Sequence, residues 1–369
     1  MVLISSSARP PLLSVSPAAA AIPLGGTGRA KIVWDVLREG ADPFEAASPV
    51  GKKLREALET SFARPSHAVI HETTSDCGTR KLLLSLPGSG DEVETVIIPS
   101  PGREFSTLCV SSQVGCRQGC SFCATGTMGL LRSLGPDEIL AQVHAAAAAI
   151  RTSGSELPPL RNLVFMGMGE PADNLPAVST ALQSLVHPHG FQLAKQHICV
   201  STVGPSPGAI RALEPLPARL AWSVHAADDS IRKLLVPTTR HSMAELRDAW
   251  GKTLEARREK QPGGLMAEMT MIDGVNDRLA DADALHTLLR PLPGKTRVNL
   301  IPYNANAGLG AAGKLFRPSP PQAVRAFQRR MLDLGVICTV RTPRGSDESS
   351  ACGMLRIEKG SKRNQRGSA

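Results

Sequence analysis

The sequence predicts an α/β protein, built as a partial (β/α)6 TIM-like barrel with a small N-terminal α+β accessory domain. From Phe105 onward, short apolar segments alternate with stretches of helical spacing. Such alternation is typical of a parallel sheet covered by helices. Six strand–helix units are too few for a complete eightfold barrel. Between His67 and Pro99 the segments are short and alternate in polarity, which indicates antiparallel strands.

A chain of 369 residues has room for one large or two modest domains. We expect a disordered leader over residues 1–28, the accessory domain over 29–100, the barrel over 101–345, and a C-terminal segment with a basic tail over 346–369. The apolar stretch of the leader is short, interrupted by proline, and preceded only by Arg9, which fits a signal peptide poorly. The sequence contains no run of eighteen apolar residues, so we expect no membrane-spanning helix. We therefore expect a cytoplasmic protein with reduced thiols.

The charge balance is basic. Lys and Arg number 42 against 33 Asp and Glu, which gives a formal charge of +9 and a pI of about 9.4. A basic chain suits a polyanionic partner through weak, salt-sensitive attraction. A chain that is rich in arginine for reasons unrelated to binding has the same net charge. The net charge alone therefore does not decide whether the partner is RNA.

Two helices are predicted in the accessory domain, over residues 30–37 and 49–62. Ser48, directly before Pro49, is a suitable start signal for the second helix. Lys52, Lys53 and Arg55 are expected on its outer side, where a solvated helix face is the plain interpretation. Strands are predicted at 81–86 and 94–98, with Glu94 opening the second.

Strands of the barrel are predicted at 108–110, 162–166, 197–201, 220–224, 265–272 and 298–301, followed by a last strand at 336–341. The intervening helices are predicted at 136–150, 175–186, 230–235, 243–258, 280–289 and 320–334. Pro136 followed by two acids is a well-formed helix start, because proline suits the first turn and acids suit the positive end of the helix dipole.

Half of the eight cysteines fall within residues 109–123. The last three of these, Cys116, Cys120 and Cys123, have the spacing Cys-x-x-x-Cys-x-x-Cys with an aromatic residue before the third. Three thiolates on one loop can hold three irons of a 4Fe–4S cluster. The fourth iron is left open to a small molecule, which is the layout of a radical-SAM cluster.

Two other interpretations of these cysteines fit the sequence less well. Zinc sites usually combine paired Cys-x-x-Cys units or histidines into four ligands, and no second compact Cys/His pair lies nearby. A disulfide framework is typical of secreted chains, and the leader is a poor signal peptide. The spacing therefore favours the iron–sulfur cluster.

Candidate binding residues follow successive barrel strands, where sites form in parallel α/β folds. They are Gly169, Glu170, Ser201, Ser223, Val224, His225 and Asn304. Glycines allow close backbone approach to a ligand, Glu170 suits an ammonium group, and the serines and Asn304 suit hydroxyls or a carboxylate. His225 taken alone is more typical of a structural residue at a strand end.

Further motifs occur in order along the chain: DCGTRK at 76–81, ETVIIP at 94–99, CVSSQVGC at 109–116, MGMGEP at 166–171, VSTVG at 200–204, IDGVND at 272–277, VNLIPYN at 298–304 and ACG at 351–353. On these motifs the chain resembles the radical-SAM adenine C2-methyltransferases of ribosomal RNA, the RlmN family. The resemblance extends from about Gly28 to Arg356 and is far more specific than the cysteine spacing alone.

The resemblance implies a mechanism. One S-adenosyl-L-methionine (SAM) methylates Cys352, and the cluster held by Cys116, Cys120 and Cys123 reduces a second SAM to a 5′-deoxyadenosyl radical. This radical takes hydrogen from methylated Cys352, and the resulting methylene radical adds to C2 of adenine. Glu94 or its water network then accepts the C2 proton. Finally, Cys109 attacks the sulfur of Cys352 and releases the base, leaving a disulfide.

The resemblance also implies ligands and partners. Gly169 and Glu170 would lie near the methionine amine of SAM, with the other candidate binding residues around the nucleoside and the carboxylate. The expected substrate is 23S rRNA, with tRNA as a second candidate, and the accessory domain would hold RNA through its phosphates. An external electron donor such as flavodoxin, a monomeric state and no membrane partner are also expected.

The sequence leaves some alternatives open. A C8-methylating relative shares the same cysteine plan. A non-catalytic iron–sulfur RNA-binding protein would need none of Cys109, Cys352 and Glu94, which argues against that class. The chain departs from the family pattern at Ser133, where relatives carry asparagine, and in the polar stretch 347–354 around Cys352. Cys77, Cys199 and Cys338 match no family role, and Cys199 and Cys338 are predicted core residues.

Overall fold

A computed structural model describes residues 9–65, 67–86, 90–258, 264–305, 315–342 and 344–356. The α-helices are α1 Pro17–Leu24, α2 Thr27–Arg38, α3 Lys52–Ser61, α4 Ala124–Thr127, α5 Pro136–Thr152, α6 Leu175–Val186, α7 Pro207–Ala212, α8 Asp229–Leu235, α9 Met243–Arg257, α10 Leu279–Leu289 and α11 Pro321–Asp333. The strands are β1 Ala68–Thr74, β2 Arg80–Ser85, β3 Glu92–Pro99, β4 Ser106–Val110, β5 Gln113–Gly115, β6 Leu130–Ser133, β7 Leu160–Phe165, β8 Ile198–Thr202, β9 Arg219–Ser223, β10 Leu265–Met271, β11 Thr296–Pro302 and β12 Ile337–Val340.

Ten of these strands form one sheet in the order β1-β2-β3-β4-β7-β8-β9-β10-β11-β12. Every neighbouring pair from β4 to β12 is parallel, so the predicted α/β class and parallel sheet are confirmed. The last strand, predicted at 336–341, pairs with β11 and extends this parallel part. The carboxyl ends of β4 and β7 to β11 therefore lie along one edge, where the candidate site residues follow them.

The accessory strands are not separate from the barrel. β3 pairs antiparallel with β4, with Val96 opposite Cys109, so β1, β2 and β3 continue the barrel sheet. A domain boundary at residue 100 therefore falls inside one hydrogen-bonded sheet. β1 was not predicted, because almost all of its side chains are exposed and no apolar alternation marks it. The two-stranded sheet of β5 and β6, beside the cluster loop, was also not predicted.

The expectation of a disordered leader is wrong for its described part, from Arg9 onward. A 3-10 helix, Leu12–Ser14, precedes α1, and the Ser16 hydroxyl caps α1 by accepting a hydrogen bond from the Ala19 amide at 3.2 Å. Leu12, Leu13 and Leu24 are buried in the main core. Proline at the first position of α1 starts this helix instead of breaking it. Residues 1–8, like the basic tail from 359 onward, lie outside the described part.

The second accessory helix begins later than predicted. α3 starts at Lys52 with Gly51 as its N-cap, and the Ser48 hydroxyl instead accepts a hydrogen bond from the Val50 amide at 3.3 Å. Lys52 and Lys53 are exposed, as expected. Arg55 differs, because its guanidinium donates to backbone carbonyls, including that of Glu45 at 2.9 Å. Arg55 therefore fixes the preceding loop rather than a solvated face.

The core is mainly aliphatic, with the three tryptophans fully buried. Trp222 of β9 and Trp250 of α9 pack together with ring centroids 6.0 Å apart, which joins the sheet to its helices. Cys338 is buried in this core, as predicted, whereas Cys199 is half-buried and lines a cavity inside the sheet. Within the described residues, no helix is both long enough and apolar enough to span a bilayer.

Gly40 fixes the contact between the N-terminal helices and the barrel. It has φ +69°, and a Cβ built on it would lie 2.0 Å from the Ala148 amide nitrogen of α5. Gly40→Ala should therefore lower the free energy of unfolding by about 2 kcal/mol, through strain and loss of close packing. The measurement is the urea unfolding midpoint. Gly251→Ala is the control, since its Cβ would meet nothing within 4 Å in the middle of α9. Equal midpoints for the two variants would contradict this packing.

A pair of histidines lies at the same interface. His144 Nδ1 of α5 is 3.2 Å from His67 Nε2, and His144 Nε2 is 3.1 Å from the Ala41 carbonyl oxygen. Burial lowers the pKa of His67 to about 4, with a further contribution from His144, and burial also lowers the pKa of His144. Both rings are therefore neutral in the folded protein at pH 7.

The histidine pair makes stability depend on pH. Because the folded pKa of His67 is below its unfolded value, the unfolded chain binds more protons between pH 6.5 and 4, and stability falls as pH falls through this window. We expect the fall in unfolding free energy between pH 7 and pH 4 to be about 2 kcal/mol smaller in His67→Gln than in the wild type. Urea midpoints measured from pH 7 to pH 4 test this, with His71→Gln at an exposed position of β1 as the control. Parallel pH profiles for wild type and His67→Gln would contradict the assignment.

Candidate active site

The cluster loop runs from the end of β5 to the start of α4 and carries Cys116, Cys120 and Cys123. Backbone hydrogen bonds fix it at both ends: the Cys116 amide donates to the Gly129 carbonyl at 2.8 Å, and the Cys123 amide donates to the Cys120 carbonyl at 3.0 Å. The Ser121 amide also donates to the Leu235 carbonyl at the end of α8, at 3.0 Å. The three predicted ligands are thus brought together on one braced loop.

The donor set of this loop fits an iron–sulfur cluster. Burial raises the pKa of Cys116 to about 12 and raises that of Cys120 well above its usual value, and the neighbouring Cys123 raises both further. Iron would hold the three sulfurs as thiolates despite this burial. In the described ranges, no three His, Cys, Asp or Glu side chains lie close enough to share a single ion. A cluster instead spreads its cysteine ligands over different irons.

Glu170 is buried and hydrogen-bonded at both carboxylate oxygens. Oε1 accepts from the Ala172 amide and Oε2 from the Val203 amide, both at 2.9 Å. Burial raises its pKa to about 7, while these donors act in the opposite direction. The carboxylate therefore links the loop after β7 to the end of β8, beside Cys116 of the cluster loop.

The two glycines before Glu170 allow its loop to pack against the segment after β4. A Cβ on Gly167 would lie 2.7 Å from the Ser111 hydroxyl, and one on Gly169, at φ +97°, would lie 2.5 Å from Gln113 Cβ. The Gly-Met-Gly-Glu turn thus needs glycine for contact with the protein itself. The sequence suggested that these glycines let the backbone approach a ligand closely. Their contacts with Ser111 and Gln113 are a second reason for glycine at both positions.

Ser133, one of the departures from the family pattern, contributes to the same arrangement. Its hydroxyl accepts a hydrogen bond from Gln113 Nε2 at 3.2 Å, across the pairing of β5 with β6. Gln113 Oε1 in turn accepts from the Glu170 amide at 2.9 Å. Ser133 therefore orients the side chain that holds Glu170, so this substitution keeps a polar link at the site.

Ser201 and Ser223 meet at the carboxyl ends of β8 and β9, with their hydroxyl oxygens 3.1 Å apart. The Ser201 hydroxyl also donates to Glu268 Oε2 at 3.1 Å, and Asn299 Nδ2 donates to Glu268 Oε1 at 3.3 Å. Glu268, on β10, is a buried carboxylate that the sequence analysis missed. Its position inside an otherwise apolar strand, MAEMTM, was the available signal. These groups form a polar floor suited to a ligand's hydroxyls.

Arg232 of α8 is a second buried residue that was missed. Its guanidinium donates to the backbone carbonyls of Ser223 and Val224, at 2.7 and 2.8 Å, and to that of Val203. Burial lowers its pKa to about 10, which leaves it charged at neutral pH. Arg232 thus joins the ends of β8 and β9. Val224 is itself buried in the core, so only its backbone is placed at the site.

His225 has a structural position, as the residue taken alone suggested. It adopts φ +51°, its Nδ1 accepts a hydrogen bond from the Thr270 amide at 3.2 Å, and burial lowers its pKa well below the usual value. Its ring packs edge-on against Phe122, with centroids 4.7 Å apart. Phe122 lies between two cluster cysteines, so the neutral imidazole supports the cluster loop.

Cys109 and Cys352 line one cavity, together with Asn304, Arg341 and Arg344. Cys109 comes from β4, whereas Cys352 comes from the C-terminal segment. Burial raises the pKa of Cys109 to about 12, and the neighbouring Cys352 raises it further. The thiol of Cys352 is also enclosed, although the residue as a whole is exposed, and its pKa is raised to about 11. The Arg341 guanidinium acts in the opposite direction on both thiols.

The C-terminal segment is held against the cluster loop by its backbone. The Gly353 carbonyl accepts from the Ala124 amide at 2.8 Å, and the Leu355 carbonyl accepts from the Thr125 hydroxyl at 2.6 Å. Asn304 Nδ2 donates to the Cys352 carbonyl at 3.2 Å. Asn304 is therefore placed beside Cys352, and no hydrogen bond within the described residues joins it to the two serines.

The polar residues before Cys352, the other departure, also anchor this segment. The Asp347 carboxylate accepts from the Asp76 amide at 2.9 Å, and the Ser350 amide donates to the Gly345 carbonyl at 2.7 Å. Cys77, in the same turn as Asp76, is exposed, and hydrogen bonds from Ser75 and Thr79 outweigh burial and lower its pKa to about 7. Among these polar residues, the Asp347 side chain thus ties the segment to the β1–β2 turn.

Glu94 lies beside the C-terminal segment, near the cavity. It is buried on β3, where Oε1 forms an ion pair with Lys81 Nζ at 3.0 Å and Oε2 accepts from the Arg356 amide at 2.7 Å. Its burial follows from the position of β3 inside the sheet, between β2 and β4. The carboxylate thus contacts the backbone of Arg356. The residue before it, Leu355, lines the cavity of the two cysteines.

This arrangement of strands, cluster loop and buried polar groups defines a radical-SAM enzyme. Residues 110–285 match the Radical SAM superfamily. The structure is similar to a radical SAM methyltransferase from Sphaerobacter thermophilus, with a TM-score of 0.83 and 36% identity over 95% of this chain and 100% of that chain.

Sequence identity to known proteins identifies one family within the radical-SAM enzymes. The dual-specificity RNA methyltransferase RlmN of an Anaeromyxobacter species is 40% identical over 88% of this chain and 83% of its own length. RlmN of Anaeromyxobacter dehalogenans is 41% identical over 89% of this chain and 85% of its own length. The chain belongs to the RlmN family of radical-SAM RNA methyltransferases. The predicted family and enzyme class, a radical-SAM RNA methyltransferase, are confirmed.

The packing of Gly169 against Gln113 leads to a prediction about SAM binding. Gly169→Ala should weaken SAM binding by about tenfold or more, because the added Cβ displaces the loop that carries Glu170. Equilibrium dialysis with labelled SAM measures this on reconstituted protein of equal iron content. Gly208→Ala in α7 is the control, where the added Cβ would meet only the Ser206 hydroxyl, at 3.8 Å. Unchanged SAM affinity in Gly169→Ala would contradict the role of this turn.

Proposed function

We propose that this enzyme methylates C2 of an adenosine in 23S rRNA, and that tRNA is a second substrate. The observation that carries the proposal is the shared cavity of Cys109 and Cys352, next to the loop of the three cluster cysteines. C2 of adenine is an electron-poor carbon without an easily removed proton, so a polar methyl transfer to it is unfavourable. A cysteine that carries the methyl carbon and a second that releases the product meet this requirement.

The cluster and two SAM molecules, when bound, supply the methyl group and the one-electron chemistry. Cys116, Cys120 and Cys123 would hold the cluster. Glu170 and the polar floor of Ser201, Ser223 and Glu268 would orient SAM above the strand ends. The hydroxyls and the carboxylate are already mutually oriented by hydrogen bonds, which lowers the cost of ordering them around a ligand.

Cys352 carries the methyl carbon between SAM and adenine. Its thiol would lose a proton, and its sulfur would bond to the methyl carbon as the bond between that carbon and the sulfonium of SAM breaks, with S-adenosylhomocysteine as the leaving group. The same carbon would later bond to C2. Arg341 lines the cavity and opposes the rise that burial causes in the pKa of both thiols, so it stabilises the thiolates that these steps need. Asn304 fixes the backbone of Cys352 through its carbonyl oxygen.

Glu94 accepts the C2 proton. In the structure its carboxylate is paired with Lys81 and the Arg356 amide, next to the cavity, so proton transfer needs the end of the segment to shift or a bridging water. Cys109 then attacks the Cys352 sulfur: a sulfur–sulfur bond forms, the carbon–sulfur bond breaks, and the carbon keeps the electron pair and takes up a proton. A two-electron reductant returns the disulfide to two thiols before the next turnover.

RNA binding is assigned to the N-terminal part of the chain. Lys52 and Lys53 are exposed at the start of α3 and are available to phosphates, whereas Arg55 is occupied by backbone carbonyls. Phosphate contacts of this kind position an RNA without reading its sequence.

The product identity tests this proposal. Anaerobically reconstituted protein, given SAM, a reductant and unmodified ribosomal RNA, should yield 2-methyladenosine in nucleoside mass spectrometry. Adding unmodified tRNA separately tests the second substrate. The appearance of 8-methyladenosine alone would assign the C8 reaction instead, and no methylated adenosine on any RNA would refute the proposal.

Two cysteine variants separate the roles. Cys352→Ala should lower turnover by about a thousandfold or more, because no sulfur carries the methyl carbon. Cys109→Ala should accumulate protein covalently joined to RNA, visible as a shifted band in denaturing gels. Cys77→Ala, at an exposed position outside the cavity, is the matched control and should turn over normally. Normal turnover by Cys109→Ala would contradict its role in product release.

A further inference from the structure

A second cavity opens at the opposite end of the barrel, at the amino-terminal ends of the parallel strands. It has a volume of about 870 Å³, comparable to ligand pockets of roughly 300–1,000 Å³. Its rim contains Arg161 of β7, Arg219 of β9 and Arg297 of β11, with Lys295 directly before β11. The proposed methyl-transfer reaction uses none of these residues.

The rim is strongly cationic. The four basic side chains are on exposed residues, and within the described part of the chain none of them forms an ion pair with a carboxylate. His197 lies between Arg161 and Arg219. Burial lowers its pKa, and the two guanidinium groups lower it further, as expected where positive charges are close together. Neighbouring cations without counter-charges repel one another, so an anion bound among them is stabilised.

Within the described residues, the nearby acids do not neutralise this rim. Glu255 is paired with Arg258 at 3.4 Å, and Glu268 lies at the inner end of the cavity, bound to Ser201 and Asn299. Glu104 is exposed on the outer side, next to Phe105. The charges that face a ligand at the rim are therefore predominantly positive.

The cavity also presents an aromatic ring beside the cations. Arg161 lies over the Phe105 ring, with its guanidinium carbon 5.0 Å from the ring centroid, and Phe105 lines the cavity. Deeper in, Thr107, Asn162 and Asn299 supply hydrogen-bonding groups. Cations for the phosphate and amides for base edges are groups that proteins use to bind nucleotides, and the Phe105 ring adds an apolar contact beside them.

We propose that the amino-terminal rim of this cavity binds the phosphate of a nucleotide, either free or within an RNA chain. The inner end of the cavity shares Met166 and Arg341 with the methyl-transfer cavity, whereas the rim residues do not line that cavity. Arg219 and Arg297, on strands on either side of β10, contact the phosphate, with Arg161 and Lys295 adding charge. The proposal is independent of which adenine carbon is methylated.

Calorimetric titration of the full-length reconstituted protein tests the site. The probes are inorganic pyrophosphate, adenosine 5′-monophosphate and a short single-stranded oligoribonucleotide, each at low salt. The double variant Arg219→Ala/Arg297→Ala should bind the preferred probe about tenfold more weakly or worse, because two charge-assisted contacts are lost. Arg325→Ala, an exposed position on α11, is the control and should bind as wild type.

The probes distinguish the two sources of the phosphate. If adenosine 5′-monophosphate binds at least as tightly as the oligoribonucleotide, the ligand of this site is a free nucleotide. Tighter binding of the oligoribonucleotide, weakened by the double variant and by added salt, assigns an RNA chain. No measurable binding of any probe, or equal affinities in the double variant and Arg325→Ala, would overturn the proposal.

Arginine modification provides a second test that needs no variant. Phenylglyoxal labelling of the wild-type protein, mapped by peptide mass spectrometry, should show pyrophosphate protecting Arg219 and Arg297. Arg325 should be labelled equally with and without pyrophosphate. Equal labelling of all three residues under both conditions would contradict a phosphate site at this rim.

Discussion

The site depends on the attachment of a C-terminal segment to the cluster loop. Two backbone carbonyls, of Gly353 and Leu355, accept hydrogen bonds from residues at the start of α4, directly after the last cluster cysteine. This attachment brings Cys352 from the far end of the chain to the cavity that contains Cys109. Without it, the three cluster cysteines would still be on one loop, but the two cavity cysteines would have no fixed relation.

Buried polar groups then fix the geometry around this attachment. Arg232 joins the ends of two strands through three carbonyls, and Glu268 holds the hydroxyl of Ser201. Inside a protein such networks are stable only when their members are hydrogen-bonded, which also makes them rigid. The barrel thus presents oriented polar groups at one end, while the cationic rim at its other end has no comparable internal partners within the described chain.

The sequence predicted the class of fold because strand and helix periodicities differ and because the α/β alternation continues for most of the chain. It also predicted the cluster loop, since three ligands on one loop depend on local spacing. It did not predict that β3 pairs with β4, that residues 12–24 fold onto the core, or that Glu268 and Arg232 are buried beside the site. Those features depend on partners distant in sequence. Glu94 was found through family resemblance, but its pairing with Lys81 required the structure.

The central claim is that Cys352 and Cys109 line one cavity, to which no other cysteine of the described chain contributes. Controlled oxidation of the full-length reconstituted protein, followed by peptide mapping without reduction, tests this most directly. The account predicts a dominant disulfide-linked peptide pair containing Cys109 and Cys352. Linkage of Cys352 mainly to Cys77 or to a cluster cysteine, or a Cys352 that stays unlinked while Cys109 is consumed, would contradict it.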